Sequence, residues 1–224
     1  MQNRVISRQD LAGFVDDLIK TKSAGDVIGI KAVGNKFNFG PLASAADLRL
    51  DYDVSLLPPK KYFFPQQETV LKYEAGPTPR VEPVVEERTL CIIGVHPFDI
   101  RALQLFDAVY GGKDPDPNYF LKRNNATIIG VDCLNPIPKS FAASMGTSSV
   151  EEGFDLMLTD LGGDWYVTVG SNRGDSLIKK SGKGKYLVER YKYLGCVGCG
   201  RCGSGCLADI ALPADTYNLL KEAK

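Results

Sequence analysis

The stretch TLCIIGVHPFDIRALQLFDAVYGG, residues 89–112, sets the fold class. Thr89 to Val95 is a short apolar run with paired isoleucines, the pattern of a buried strand. From Asp99 to Tyr110, the apolar residues Ile100, Leu103, Leu105, Phe106 and Val109 mark an amphipathic helix, which Gly111-Gly112 stops. Ala126 to Val131 (ATIIGV) repeats the buried-strand pattern. Strand, helix and strand within about forty residues predict a parallel crossover unit.

Upstream, Leu11, Phe14, Val15, Leu18 and Ile19 fall at helical spacing over residues 8–20, with Ser7 placed to cap them. Val27 to Val33 and Lys36 to Phe39 read as strands around the Gly34-Asn35 turn. Leu56 to Pro65 (LLPPKKYFFP) is bounded by prolines and reads as extended or looping chain. Residues 76–88, rich in Pro and charge, read as a surface connection. Downstream, Phe154 to Thr159 and Trp165 to Val169 form a hairpin pattern across Gly162-Gly163-Asp164. Residues 171–185 are polar and Gly-rich, so a domain boundary is expected there. The reading is an α/β (mixed α+β) main domain over 1–175 and a small ferredoxin-like iron–sulfur domain over 176–224, closed by a helix from Pro213 to Glu222.

Composition narrows the function classes. The 224 residues are 44% apolar and 24% charged, an ordinary globular balance. Lys plus Arg and Asp plus Glu are 27 each, which gives no general attraction to nucleic acid or to an anionic membrane. No apolar run reaches the roughly 18 residues of a membrane span, and the N-terminus lacks a secretion-signal pattern. A cytoplasmic protein without direct membrane insertion is expected.

The chain has six cysteines. Cys91 and Cys133 are scattered, whereas Cys196, Cys199, Cys202 and Cys206 crowd into CVGCGRCGSGC, residues 196–206. A disulfide framework spreads its cysteines through a small secreted domain. This Cys-x2-Cys-x2-Cys-x3-Cys spacing is instead that of a 4Fe–4S run. Four irons each want one thiolate, and a tight loop can wrap several corners of the cube. Gly198, Gly200, Gly203 and Gly205 let the backbone curl and aim amides at sulfur. Zinc is the rival, but structural zinc favours two Cys pairs with a longer spacer between them. In two-cluster ferredoxins the fourth cysteine of such a run serves the other cluster and precedes proline. Here Leu207 follows Cys206, and no second run exists. The fourth ligand is therefore Cys206 closing its own cluster, or Cys133, Cys91 or a partner; a three-iron cluster is the further alternative. Around the run, Lys179, Lys180, Lys183, Lys185, Arg190, Lys192 and Arg201 oppose only Glu189, a solvated face or a docking surface.

The remaining chemistry-bearing residues read as structural. His96, the only histidine, lies between a strand and a helix without an identifiable acid–base partner. Cys91 reads as a buried small hydrophobe, and Cys133 as core at a strand end. Residues 144–149 (SMGTSS) could meet a phosphate, but there is no Walker Lys and no GxGxxG after a strand, so nucleotide binding is not expected. Tyr62, Phe63 and Phe64 read as core or subunit interface.

Several stretches in order resemble one family: LRLDYDVSLLPPKKYFFPQQETVL (48–71), GVHPFDIRALQLFDAVYGG (94–112), IIGVDC (128–133), SFAASMGT (140–147), GFDLMLTDLGGDWYVTVGS (153–171) and CVGCGRC (196–202). The chain is similar to the iron–sulfur beta subunits of sulfhydrogenase-type nickel–iron hydrogenases and to the related iron–sulfur component of anaerobic sulfite reductase. That resemblance implies 4Fe–4S clusters and electron relay. The relay would run from a flavin-containing, NAD(P)H-binding or ferredoxin-like subunit to the one holding the catalytic metal. Where the family has Arg-Pro-Cys-Asp, this chain has His96-Pro97-Phe98-Asp99. Where the family has Thr-Cys-Phe-Cys, it has Lys139-Ser140-Phe141-Ala142. Of that additional cysteine set only Cys133 remains, and the chain shows one cluster motif in place of two. The expected role is thus a non-catalytic electron-transfer component with one 4Fe–4S cluster on Cys196, Cys199, Cys202 and Cys206. A non-redox assembly protein with a structural iron–sulfur or zinc site, and a self-contained flavin enzyme, are the alternatives.

Overall fold

The computed structural model describes residues 3–76, 78–182 and 185–186. Strand β1 (Arg4–Ser7) runs directly into helix α1 (Arg8–Thr21), and Ser7 makes the switch possible. Its hydroxyl accepts the Asp10 amide at 3.0 Å and donates to the Asp10 carboxylate at 2.8 Å, so one free helix donor is satisfied. Leu11, Phe14, Val15 and Leu18 form the buried stripe of α1. The helix ends where Lys22 turns left-handed, its amide donating to the Leu18 carbonyl.

Strands β2 (Asp26–Val33) and β3 (Lys36–Pro41) make the expected hairpin, with Gly34 at φ +61° in the turn. A 3-10 turn over Pro59–Tyr62 follows. The described residues within 76–88 are nearly all exposed, as a surface connection should be, yet they contain a strand. Strands β4 (Leu71–Glu74) and β5 (Arg80–Pro83) pair as a separate two-stranded ribbon. Next come β6 (Leu90–Val95), α2 (Pro97–Tyr110), α3 (Pro117–Asn124), β7 (Ala126–Val131), β8 (Leu156–Asp160), β9 (Asp164–Val169), α4 (Asn172–Lys180) and β10 (Lys185–Tyr186).

All but β4 and β5 join one eight-stranded mixed sheet, ordered β10-β1-β9-β8-β7-β6-β2-β3. The central strands β2, β6, β7 and β8 are mutually parallel, which bears out the crossover unit. Every residue of β6 and β7 is buried, as strands covered on both faces require. Each fully buried Ile or Leu here stabilises the fold by about 1.5–3 kcal/mol. Helix α1 packs on β1, β2 and β9, α2 on β7, and α4 on β9.

Two joints fix the central strands of the sheet. Asp155, buried before β8, accepts the Ile128 amide of β7 at 2.8 Å and the Ser171 hydroxyl. Ser171 in turn accepts the Gly174 amide at 3.0 Å and so caps α4. One carboxylate therefore links β7, β8 and α4. The second joint is the irregularity in β6 between Ile93 and Val95, where Gly94 sits at φ +91°. A Cβ there would lie 2.9 Å from Ile30 Cγ2, so glycine is required both conformationally and sterically.

The expected boundary after residue 175 falls inside α4, whose Ile178 is buried, and β10 pairs with β1. The polar composition of residues 171–180 thus reflects a capped amphipathic helix with a solvent face. No described helix is long and apolar enough to cross a membrane. The cysteine run, Cys196, Cys199, Cys202 and Cys206, lies outside the described residues, as does the closing helix expected over Pro213–Glu222.

Candidate functional site

Parallel strands β6 and β7 deliver their carboxyl ends side by side, the place where open α/β sheets present ligand-binding loops. His96 follows β6, and Asp132 and Cys133 follow β7. Beyond Cys133 the chain makes a long irregular excursion before β8. It encloses, together with Asp53 and Val54, a cavity of about 250 Å³.

Four cavity-lining positions, separated in the sequence, meet here: Phe98, Cys133, Ser140 and Ala142. These are the positions at which the resemblance puts an additional cysteine set. Only one carries a thiol. Phenyl, hydroxymethyl and methyl groups stand at the others, and none can act as a thiolate ligand. Among the described residues no three His, Cys, Asp or Glu side chains gather as metal ligands. The cavity therefore does not fit a cluster. Pro136, Ile137, Phe141 and Met145 make the rest of its wall largely apolar, with Lys139 and Thr147 adding polar groups.

The Cys133 thiol, half-buried, lies 3.9 Å from the Asp53 carbonyl oxygen. Burial holds it above the ordinary thiol value, and the carboxylates of Asp53 and Asp132 push the same way. It is a neutral thiol at physiological pH, not an activated nucleophile. Cys91 is fully buried in β6, its thiol pushed up to about 12, chiefly by burial. Reaching a ligand would require opening the sheet, so Cys91 is a packing residue and is removed from the possible cluster ligands.

His96 is wholly buried. Its Nδ1 donates to the Val131 carbonyl at 3.0 Å, so the ring ties the end of β6 to the end of β7. Burial lowers its pKa, keeping the imidazole neutral. The ring is a structural latch, as its lack of an acid–base partner implied. Asp99, which composition and spacing do not single out, sits in the first turn of α2 with its carboxyl pushed up to about 6 by burial. A half-buried carboxyl in the first turn of a helix leaves no mark in a linear sequence.

A larger hollow of about 310 Å³ lies beside α1, lined by Arg8, Asp51, Asp160 and Trp165 among others. Its charges are already paired: Arg8 with Asp160 and Arg49 with Asp51, each at 2.8 Å. It offers no thiol or imidazole, so the Cys133 cavity is the better candidate despite its smaller volume.

No family model matches the chain. Among curated proteins, it is 33% identical over 165 residues to "Sulfhydrogenase 2 subunit beta" of Pyrococcus furiosus. The match takes in 74% of this chain and 48% of the relative, so the chain spans about half the length of the curated relative it matches.

Proposed function

We propose, from the premise that the chain belongs to the family of sulfhydrogenase beta subunits, that it is an electron-transfer component of a multi-subunit oxidoreductase. The observation that carries the reading is the spacing of Cys196, Cys199, Cys202 and Cys206. Their four thiolates would hold one 4Fe–4S cluster, which when bound supplies reversible one-electron chemistry. The glycines between them let backbone amides turn toward the sulfurs, and Arg201 offsets negative charge. Bond-making chemistry belongs to other subunits, one carrying flavin and exchanging electrons with NAD(P)H or a ferredoxin-like protein, the other carrying the catalytic metal.

The upstream α/β unit is then scaffold and interface. What supports this is the Cys133 cavity: the positions that would make it a second redox station are apolar or hydroxylic, apart from one protonated thiol.

Anaerobic purification tests the reading. Brown protein with about four irons per chain, reducible and reoxidisable at physiological potentials, is expected. Colourless protein with one zinc, or iron that cannot be reversibly reduced, would sink it. Cys199→Ser should lose the iron.

A further inference from the structure

The ribbon of β4 and β5 has two unlike faces. Its register pairs Leu71 with Pro83 and Tyr73 with Val81 on one face, and Lys72 with Glu82 and Glu74 with Arg80 on the other. One face is therefore apolar, and the other carries two cross-strand pairs of opposite charge. All eight residues are exposed, with Leu71, Tyr73 and Val81 at 56%, 67% and 59%. A two-stranded ribbon is marginal in water, and further strands stabilise it.

The two edges of the ribbon are also unlike. The Val84 amide donates to the Val70 carbonyl at 2.9 Å, in register with the ladder. Bonded pairs alternate in an antiparallel ladder, so Lys72 and Glu74 turn their backbone groups toward β5 and Leu71 and Tyr73 turn theirs outward. On β5 the outward positions are Val81 and Pro83, with Pro79 continuing the same parity just before the strand. The two prolines have no N–H, which closes that edge to further pairing. β4 contains no proline, and no described strand pairs with its outer side. It is an open edge.

Charge selects what fits this edge. Suppose β4 pairs with β4 of a second copy, antiparallel about a two-fold axis. Centred on Tyr73, the pairing sets Lys72 against Glu74 of the second copy and Glu74 against its Lys72. Moving the centre one residue, to Lys72 or to Glu74, puts like charges opposite each other. Centred on Leu71, Lys72 meets Val70 and finds no countercharge. Only the Tyr73 register satisfies both charges of the strand. The chain enters and leaves the ribbon at the Val70–Val84 end, so in this arrangement the two copies leave the shared sheet at opposite ends.

We propose that β4 is a self-association edge, at which two copies pair antiparallel about Tyr73 into a four-stranded sheet ordered β5-β4-β4-β5. Main-chain hydrogen bonds supply the affinity and the Lys72–Glu74 pairs set the register. The two apolar faces merge into one, with the Tyr73 residues side by side. The contact is short, so the dimer is weak and dissociates on dilution. It does not depend on what the cysteine run binds.

Sedimentation equilibrium of the full-length protein tests this. A mass rising with concentration from one chain toward two is expected; a single-chain mass up to millimolar protein would overturn the proposal. Lys72→Glu and Glu74→Lys should each weaken association about tenfold, since each turns both intermolecular pairs repulsive. An equimolar mixture of the two variants should associate again, because every Glu then faces a Lys. Unchanged association of the single variants, or no recovery in the mixture, would overturn the register. Tyr73→Cys checks the geometry. Opposed residues of a bonded pair lie about 5.5 Å apart, within reach of a disulfide. Mild oxidation should therefore link position 73 to itself between copies, as mapped by mass spectrometry. Val81→Cys, three strand spacings or about 14 Å from its counterpart, should not link. A link at 81, or none at 73, would exclude this sheet.

Discussion

The ring of Tyr52 lies flat on the imidazole of His96, centroids 4.0 Å apart and planes 19° from parallel. The stack joins the loop after β3 to the end of β6, and each member is also pinned by a hydrogen bond. His96 Nδ1 donates to Val131, and the Tyr52 hydroxyl donates to the Gly94 carbonyl at 2.7 Å. That carbonyl is thrown out of the ladder by the irregularity in β6, so Tyr52 satisfies an acceptor the sheet cannot. Tyr52→Phe keeps the ring and strips the donor. A loss of about 1–2 kcal/mol in urea unfolding is expected, with the slope unchanged.

Asp99 gives the fold a pH dependence of defined sign. Its folded value, pushed up to about 6 by burial, exceeds the unfolded 3.8, so the native state holds more protons between them. The resulting stabilisation is complete below pH 3.8 and is lost as pH rises through about 6. Its size is at most about 3 kcal/mol. Asp99→Asn removes the titration. The variant should be more stable than the parent at pH 7.5, and the gap should close near pH 4, as read by urea midpoints across that range.

Much of the parallel centre was legible because its strands are buried on both faces and therefore read as unbroken apolar runs. TLCIIGV and ATIIGV needed no context, and the Gly162-Gly163-Asp164 turn exposed the β8–β9 hairpin. What escaped was held by tertiary contacts. β1 has four residues and gains its identity only by pairing with β9 and β10. β5 is Pro- and Glu-rich, and only its pairing with β4 makes it a strand. Helix α3 did leave a signal: Asp116 caps it, accepting from Asn118 and Tyr119, and Pro117 starts it. The cavity was half legible. The resemblance aligned Phe98, Cys133, Ser140 and Ala142 with one cysteine set, but only the fold shows that they share a wall.

Gly174 looks dispensable in a polar helix, yet alanine should not be tolerated there. A Cβ on Gly174 would lie 2.0 Å from the Asp155 carbonyl oxygen, a backbone atom that cannot step aside. Asp155 also anchors β7 and the cap of α4, so the clash falls on the joint of three elements. Gly174→Ala should cost more than about 2 kcal/mol, against the roughly 1 kcal/mol gain in helix propensity that alanine brings. A raised thermal midpoint would contradict the joint.

The two isolated cysteines should separate cleanly from the cluster. Cys91→Ala removes one buried sulfur from β6 and should lower stability by about 1–2 kcal/mol while leaving the iron content intact. Cys91→Ser should cost more, because a hydroxyl at a fully buried position desolvates without a partner supplied by the sheet. Cys133→Ala should leave both iron and visible absorbance at the parent level, since its cavity offers no second thiolate and its own thiol is protonated. Cys206→Ser is the decisive comparison. With Cys91 sealed in the sheet and Cys133 alone in its cavity, this chain has no other thiol to replace it, so iron should fall from about four to about three per chain or be lost. Full retention of iron in Cys206→Ser, combined with loss in Cys133→Ala, would reverse the assignment and make the carboxyl edge of the sheet part of the cluster site.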